Sequence, residues 1–162
     1  MNNIIIRASI SLDIDALVSL SKAKRMLYEK AQPQFWRYAG EESDNAQKKW
    51  FKELLEDENY LMFSAENHTQ EILGFIIGKL MPAPEVYNPG GLTLMIDDFC
   101  VQSENLWESV GAHLVYAIKA GARRKGATQI LVVCGAHDQA KRKFLSEQNL
   151  CIASEWFVGG II

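Results

Sequence analysis

Cysteine is scarce in this chain: Cys100, Cys134 and Cys151 are the only three among 162 residues. An odd count with no Cys-x-x-Cys pair cannot close a disulfide framework, so three reduced thiols packed as small apolar groups are expected. Histidine is equally rare. His68, His113 and His137 lack the spacing of a metal-binding cluster, and no metal is expected. No apolar run approaches the roughly 20 residues that cross a bilayer, so no membrane span is expected. The opening Met-Asn-Asn-Ile-Ile-Ile has neither the basic region nor the apolar core of a secretion signal, and a cytoplasmic protein is expected. An excess of charge is missing too: a formal charge of −3 gives no electrostatic reason for binding nucleic acid or a membrane surface.

What is present suits one globular domain over residues 1–162, with 48% hydrophobic and 23% charged residues. No repeat, linker or low-complexity segment divides the chain. Ile4 to Ile6 reads as an edge strand, followed by Ser11 and Asp13 as candidate N-caps. Helical spacing of Ile14, Leu17, Val18, Leu20 and Leu27 predicts a helix to about Tyr28. An aromatic stretch, Phe35, Trp36 and Tyr38, follows Pro33. A second helix is predicted from Asp44 to about Glu56. Tyr60 to Glu66 and Ile72 to Leu80 form a predicted hairpin, and a loop rich in Pro and Gly leads to a third strand, Leu92 to Val101. A helix from Leu106 to about Lys125 follows, with Asn105 and Glu108 placed as a capping box and Gly126 as its stop. Ile130 to Cys134 reads as a strand covered on both faces, Asp138 to Glu147 as a helix, and Leu150 to Ile162 as one or two short strands.

This order resembles the GNAT acetyltransferase fold, and the resemblance becomes specific between Leu92 and Leu150. In that family a strand ends in a hydrophobic residue. Five positions later comes an Arg/Gln-x-x-Gly-x-Gly/Ala loop that opens a helix. Here Asp97-Asp98-Phe99-Cys100-Val101 stands at the strand end, and Leu106-Trp107-Glu108-Ser109-Val110-Gly111 stands at the loop. Lys125-Gly126-Ala127 precedes the next strand as the family's Gly-Ala pattern does. The family's Asn-x-x-Ala-x-x-Phe-Tyr-x-x-x-Gly-Phe tail is similar to Asp138 through Phe144, Leu145, Asn149 and Leu150. The resemblance implies an α/β fold with a mixed central sheet of six to seven strands and about four flanking helices.

It also implies acetyl-CoA as cosubstrate and a primary amine of a small molecule or peptide as acceptor. The implied cofactor residues are Phe99, Cys100, Val101, Leu106, Trp107, Ser109, Val110, Gly111, Ala112 and Asp138. A helix N-terminus can hold a diphosphate on outward amides, here between Trp107 and Ala112, and Gly111 would allow close approach. An extended amide chain can pair beside Phe99 to Val101. A strand-end carboxylate, Asp98 or Asp97, is a candidate general base. Being adjacent on a strand, only one of the two is expected to face the reaction groove.

The family's Arg/Gln, middle Gly, Asn and Tyr are replaced by Leu106, Ser109, Asp138 and Leu145. Two readings follow: an acetyltransferase that holds its cosubstrate by backbone amides, or a catalytically silent module binding coenzyme A or a protein. Lys141, Arg142 and Lys143 read as a solvated helix face, with contact to a phosphate as the alternative. The apolar tail Trp156-Phe157-Val158 with Gly159 to Ile162 could cover the sheet edge of a second copy, making a homodimer.

Overall fold

The computed structural model describes residues 4–161. Five strands form one sheet in the order β1-β2-β3-β4-β5. They are β1 (Ile5–Ala8), β2 (Tyr60–Glu66), β3 (Ile72–Met81), β4 (Leu92–Val101) and β5 (Ala127–Val132). The first four run antiparallel to their neighbours, and β5 runs parallel to β4. A parallel pair needs a crossover, supplied here by α3 (Ala112–Arg124). Helices α1 (Ile14–Ala31) and α2 (Glu41–Glu56) cover one face. Ile14, Leu17, Phe51 and Leu54 pack there on Met62, Phe75, Ile77 and Cys100. The other face carries α3 and α4 (Gln139–Glu147), which bury Leu114, Ile118 and Phe144 against Ile76, Leu94, Ile96 and Phe99. Alternation along β3 and β4 sends successive side chains to the two cores.

The sheet has fewer strands than expected, for a local reason. Residues 150–161 form no strand, and those from Cys151 on are exposed; Ile162 lies outside the described residues. An apolar sequence becomes a strand only where another strand satisfies its amides and carbonyls, and none does so here. That leaves β5 at the edge, where Thr128, Gln129 and Leu131 are exposed instead of covered on both faces. Gly126, at φ +87, makes the left-handed turn from α3 into β5. Asn149, at φ 60, makes the corresponding turn after α4.

Candidate active site at the parted strands β4 and β5

Two irregularities in the sheet meet at the end of β4. In the β3–β4 pair, Ile77 lies opposite Asp98 and Gly78 opposite Ile96, so Asp97 is an extra residue in a bulge. On its other side, β4 pairs with β5 only from Leu92 to Ile96. The Val133 amide donates to the Ile96 carbonyl at 2.9 Å, after which the chain turns away into α4. Asp97 to Val101 therefore keep β3 as a neighbour and face a gap where β5 would have continued.

Lys141 spans that gap. Asp138 caps α4 by accepting the Lys141 amide on Oδ1 at 3.1 Å, while the Tyr28 hydroxyl donates to its Oδ2 at 2.8 Å. Lys141, Phe144 and Leu145 are the buried residues of α4, at helical spacing. The Lys141 side chain runs inward, and its ammonium donates to the Phe99 carbonyl at 3.2 Å and the Val133 carbonyl at 3.1 Å. Lys141 is 1% exposed, which corrects the expectation of a solvated face at this position. Burial pulls its pKa down, with the charge of Lys24 adding to the effect. The rings of Phe99 and Trp107 lie 5.3 and 5.8 Å from its nitrogen.

Trp107 fills the space beside the gap, edge-on to Phe99 at 4.9 Å and stacked on Phe144 at 5.3 Å. A Cβ on Gly111 would sit 2.9 Å from the Trp107 ring and 3.3 Å from Phe144, so these two rings need the glycine. The helical run begins before Leu106. A 3-10 turn spans Glu104–Leu106 and a π turn spans Trp107–Gly111, ahead of α3. The amides of Leu106, Trp107 and Ala112 are bonded inside this run, to Ser103, Glu104, and Trp107 and Ser109 respectively. Ser103 caps it by backbone conformation, and Asn105 accepts from the Ser103 hydroxyl instead of capping a helix. Ser109 lends its carbonyl to His113, and Val110 is buried under the sheet.

On the α1–α2 face, Asp98 accepts from the Lys24 ammonium at 2.7 Å and from the Ser21 hydroxyl at 3.3 Å. Burial opposes charge on Lys24, but Cys100, Asp98 and Asp97 outweigh it and hold its pKa above the ordinary lysine value. Cys100 lies within the same wall, and burial pushes its thiol up. The bulge overrides simple alternation. Asp97 and Asp98 both line a cavity of about 80 Å³ with Trp50, Tyr60, Ile77 and Lys79. Trp50 therefore reaches this cavity, whereas Trp36 meets Phe35 and Tyr28 edge-on farther along, and Tyr28 meets His137 edge-on. Tyr38 instead donates to Asp44.

Lys24 and Ser21 are missing from the residues singled out by sequence, where Tyr28 enters only as a helix end and Lys141 only as part of a solvated or phosphate-touching face. Lys141 carries a usable signal, since it continues the Phe144–Leu145 stripe at i−3 and i−4. The others meet the site only through folding, across 74 to 110 residues of chain.

On the gap side the main chain of Phe99 to Val101 has no strand beside it, and the Phe99 carbonyl is held by Lys141. Among the described residues, no helix is long and apolar enough to cross a membrane. No family model matches the sequence, and no curated protein matches it by sequence. Solved structures do match. A point mutant of the BH1408 protein from Bacillus halodurans aligns with a TM-score of 0.84 at 14% identity, over 98% of this chain and 99% of that one. A predicted acetyltransferase from Clostridium acetobutylicum, with acetyl-CoA, gives 0.75 at 16% identity over 98% and 96%. The aminoglycoside 6'-N-acetyltransferase AAC(6')-Ih from Acinetobacter baumannii gives 0.72 at 11% identity over 98% and 99%. The parted β4–β5 pair thus sits within a chain that has the GNAT acetyltransferase fold.

Proposed function

We propose that the chain moves an acetyl group from acetyl-CoA to a primary amine of a small molecule or peptide. The observation that carries this reading is the parting of β4 from β5 after Ile96, which leaves Phe99 to Val101 facing a gap. No strand lies beside Phe99 to Val101 on that side, so the amides of the pantetheine arm pair there once Lys141 releases the Phe99 carbonyl. The likeness to one structure with acetyl-CoA and to an aminoglycoside acetyltransferase supports the same choice of donor and acceptor.

In this reading Asp98 serves as proton acceptor for the incoming amine, directly or through water, and Lys24 and Ser21 fix its position. Asp97, exposed on the bulge, adds negative charge that attracts a cationic amine to the cavity beside Trp50. Phe99, Cys100 and Val101 line the thioester arm. Leu106, Trp107, Ser109, Val110, Gly111 and Ala112 form the wall toward the diphosphate, and Asp138 holds α4 in place. Release of thiol in the presence of acetyl-CoA and a panel of amines tests the proposal. Acceptor-dependent release that disappears in Asp98→Ala, with the fold intact, is the expected result.

One observation favours a second reading. Lys141 already bridges Phe99 and Val133, in the gap that the arm would enter. With Leu106 and Leu145 in place of the polar residues of the resemblance, the domain would then be a silent module. Thiol release that no amine accelerates, together with binding of coenzyme A or a protein, is its signature.

A further inference from the structure

Two lysines reach the open end of β4, and they are held in opposite ways. Lys24, from α1, is ion-paired with Asp98 at 2.7 Å. Against the pull of burial, Cys100, Asp98 and Asp97 keep its ammonium charged. Lys141, from α4, has no ion pair among the described residues. Its nitrogen donates to two carbonyl oxygens, those of Phe99 at 3.2 Å and Val133 at 3.1 Å. The carboxylate of Asp138, three residues earlier, is already engaged. It accepts the Lys141 amide on one oxygen and the Tyr28 hydroxyl on the other.

A buried cation without a carboxylate is unfavourable, and loss of a proton relieves it. Burial accordingly lowers the pKa of Lys141, and the charge of Lys24 lowers it further. At neutral pH it therefore holds a larger share of free base than an exposed lysine such as Lys143 does. A free amine keeps two N–H bonds, enough for both carbonyls, and gains a lone pair. Lysines desolvated beside a second cation are the ones that act as nucleophiles. The acyl-transfer reading leaves this amine without a task, since its proton acceptor is Asp98 and its acceptor amine comes from outside. Yet the Lys141 nitrogen sits in the very gap which that reading gives to the thioester arm. In the tail pattern of the resemblance this position is Ala, so the amine is a feature of this chain.

We propose that Lys141 is a self-acetylation site, taking the acetyl group of acetyl-CoA in the gap when no outside amine is present. The inference rests on the acyl-transfer reading for the entry of acetyl-CoA there. Released from the Phe99 carbonyl, the amine forms a C–N bond to the acetyl carbon. The C–S bond breaks, and the sulfur leaves with the bonding pair. It takes up the proton that the amine gives up, so the products are acetyl-lysine and the free thiol of coenzyme A. The step runs once per chain, because the amide nitrogen has no available lone pair. Acetyl-lysine carries one N–H and no charge. It can serve only one of the two carbonyls, so the bridge from β4 to the end of β5 opens and the gap loses its cation.

Mass spectrometry of the full chain, incubated at neutral pH with acetyl-CoA and no amine, tests this. The expected product has gained one acetyl group, which peptide mapping places on Lys141, and excess coenzyme A slows its appearance. Lys141→Arg keeps a cation in the gap but has no free-base form, so the adduct should be lost with unchanged far-ultraviolet dichroism. If that variant does not fold, protection by coenzyme A carries the test. Acetylation confined to exposed lysines overturns the proposal, and so does modification of Lys141 that excess coenzyme A does not slow. Calorimetry with coenzyme A separates the two levels. An unmodified Lys141 in a chain that binds coenzyme A overturns self-acetylation alone. An unmodified Lys141 in a folded chain that binds none overturns the acyl-transfer reading with it.

Discussion

The two halves of β4 share one strand and differ in how they are closed. From Leu92 to Ile96 the strand lies between β3 and β5 in an ordinary ladder, sealed further by a Thr93–Gln129 side-chain hydrogen bond of 3.0 Å. From Asp97 to Val101 it has β3 alone, and one lysine nitrogen reaches across to Phe99 and Val133. The first half is stability and little else. The second half carries a paired carboxylate at Asp98, an exposed one at Asp97, and a main chain bridged to Val133 by the buried Lys141. A bulge and an early strand end are enough to open one half of a ladder.

Breaking the open half chemically should have the largest effect. Asp98→Asn keeps the shape and removes the proton acceptor, so kcat for an amine acceptor should fall by about 10²–10⁴, with KM little changed. Steady-state thiol release checks this. Next in size is the aromatic wall. Phe144→Ala leaves a cavity against Trp107 and Phe99 and should cost about 3–5 kcal/mol, read by urea unfolding.

Lys141→Met sharpens the comparison most, because it empties the gap of charge while keeping its apolar wall. Binding of acetyl-CoA by the native chain must break a charge-assisted bond to Phe99. The variant should therefore bind about 10–100-fold more tightly, the equivalent of roughly 1.5–3 kcal/mol. A pH signature accompanies it. Folding depresses the pKa of Lys141, so just below the ordinary lysine value of about 10.4 the unfolded chain holds more protons than the native one. Stability contributed through this residue rises as pH climbs through that window, and Lys141→Met should abolish the rise in denaturation curves. The smallest effect belongs to the closed half. Thr93→Val should cost about 1 kcal/mol and leave acetyl-CoA affinity unaltered.

The halves also differ in how far the sequence reveals them. The closed half follows from periodicity: alternation in Leu92–Val101, the stripe of α3 and the Gly126 stop were all readable locally. The parting of strands was not legible locally, since neither the bulge at Asp97 nor the end of β5 at Val132 has a local signature. Alternation assigns Asp97 and Asp98 to opposite faces, and one inserted residue puts both on one cavity. Lys141 reads as solvent-facing because its neighbours Arg142 and Lys143 are charged, although its spacing from Phe144 and Leu145 already places it on the buried side. The tail reads as strand because Ile152, Trp156 and Val158 alternate, but a partner edge is not encoded in the segment itself.

Calorimetric titration of acetyl-CoA into the native chain and into Lys141→Met tests the parted strands as the binding gap most directly. Heat of binding in both proteins, with the variant tighter, is the predicted result. Absence of heat in both, with each chain folded, would contradict it.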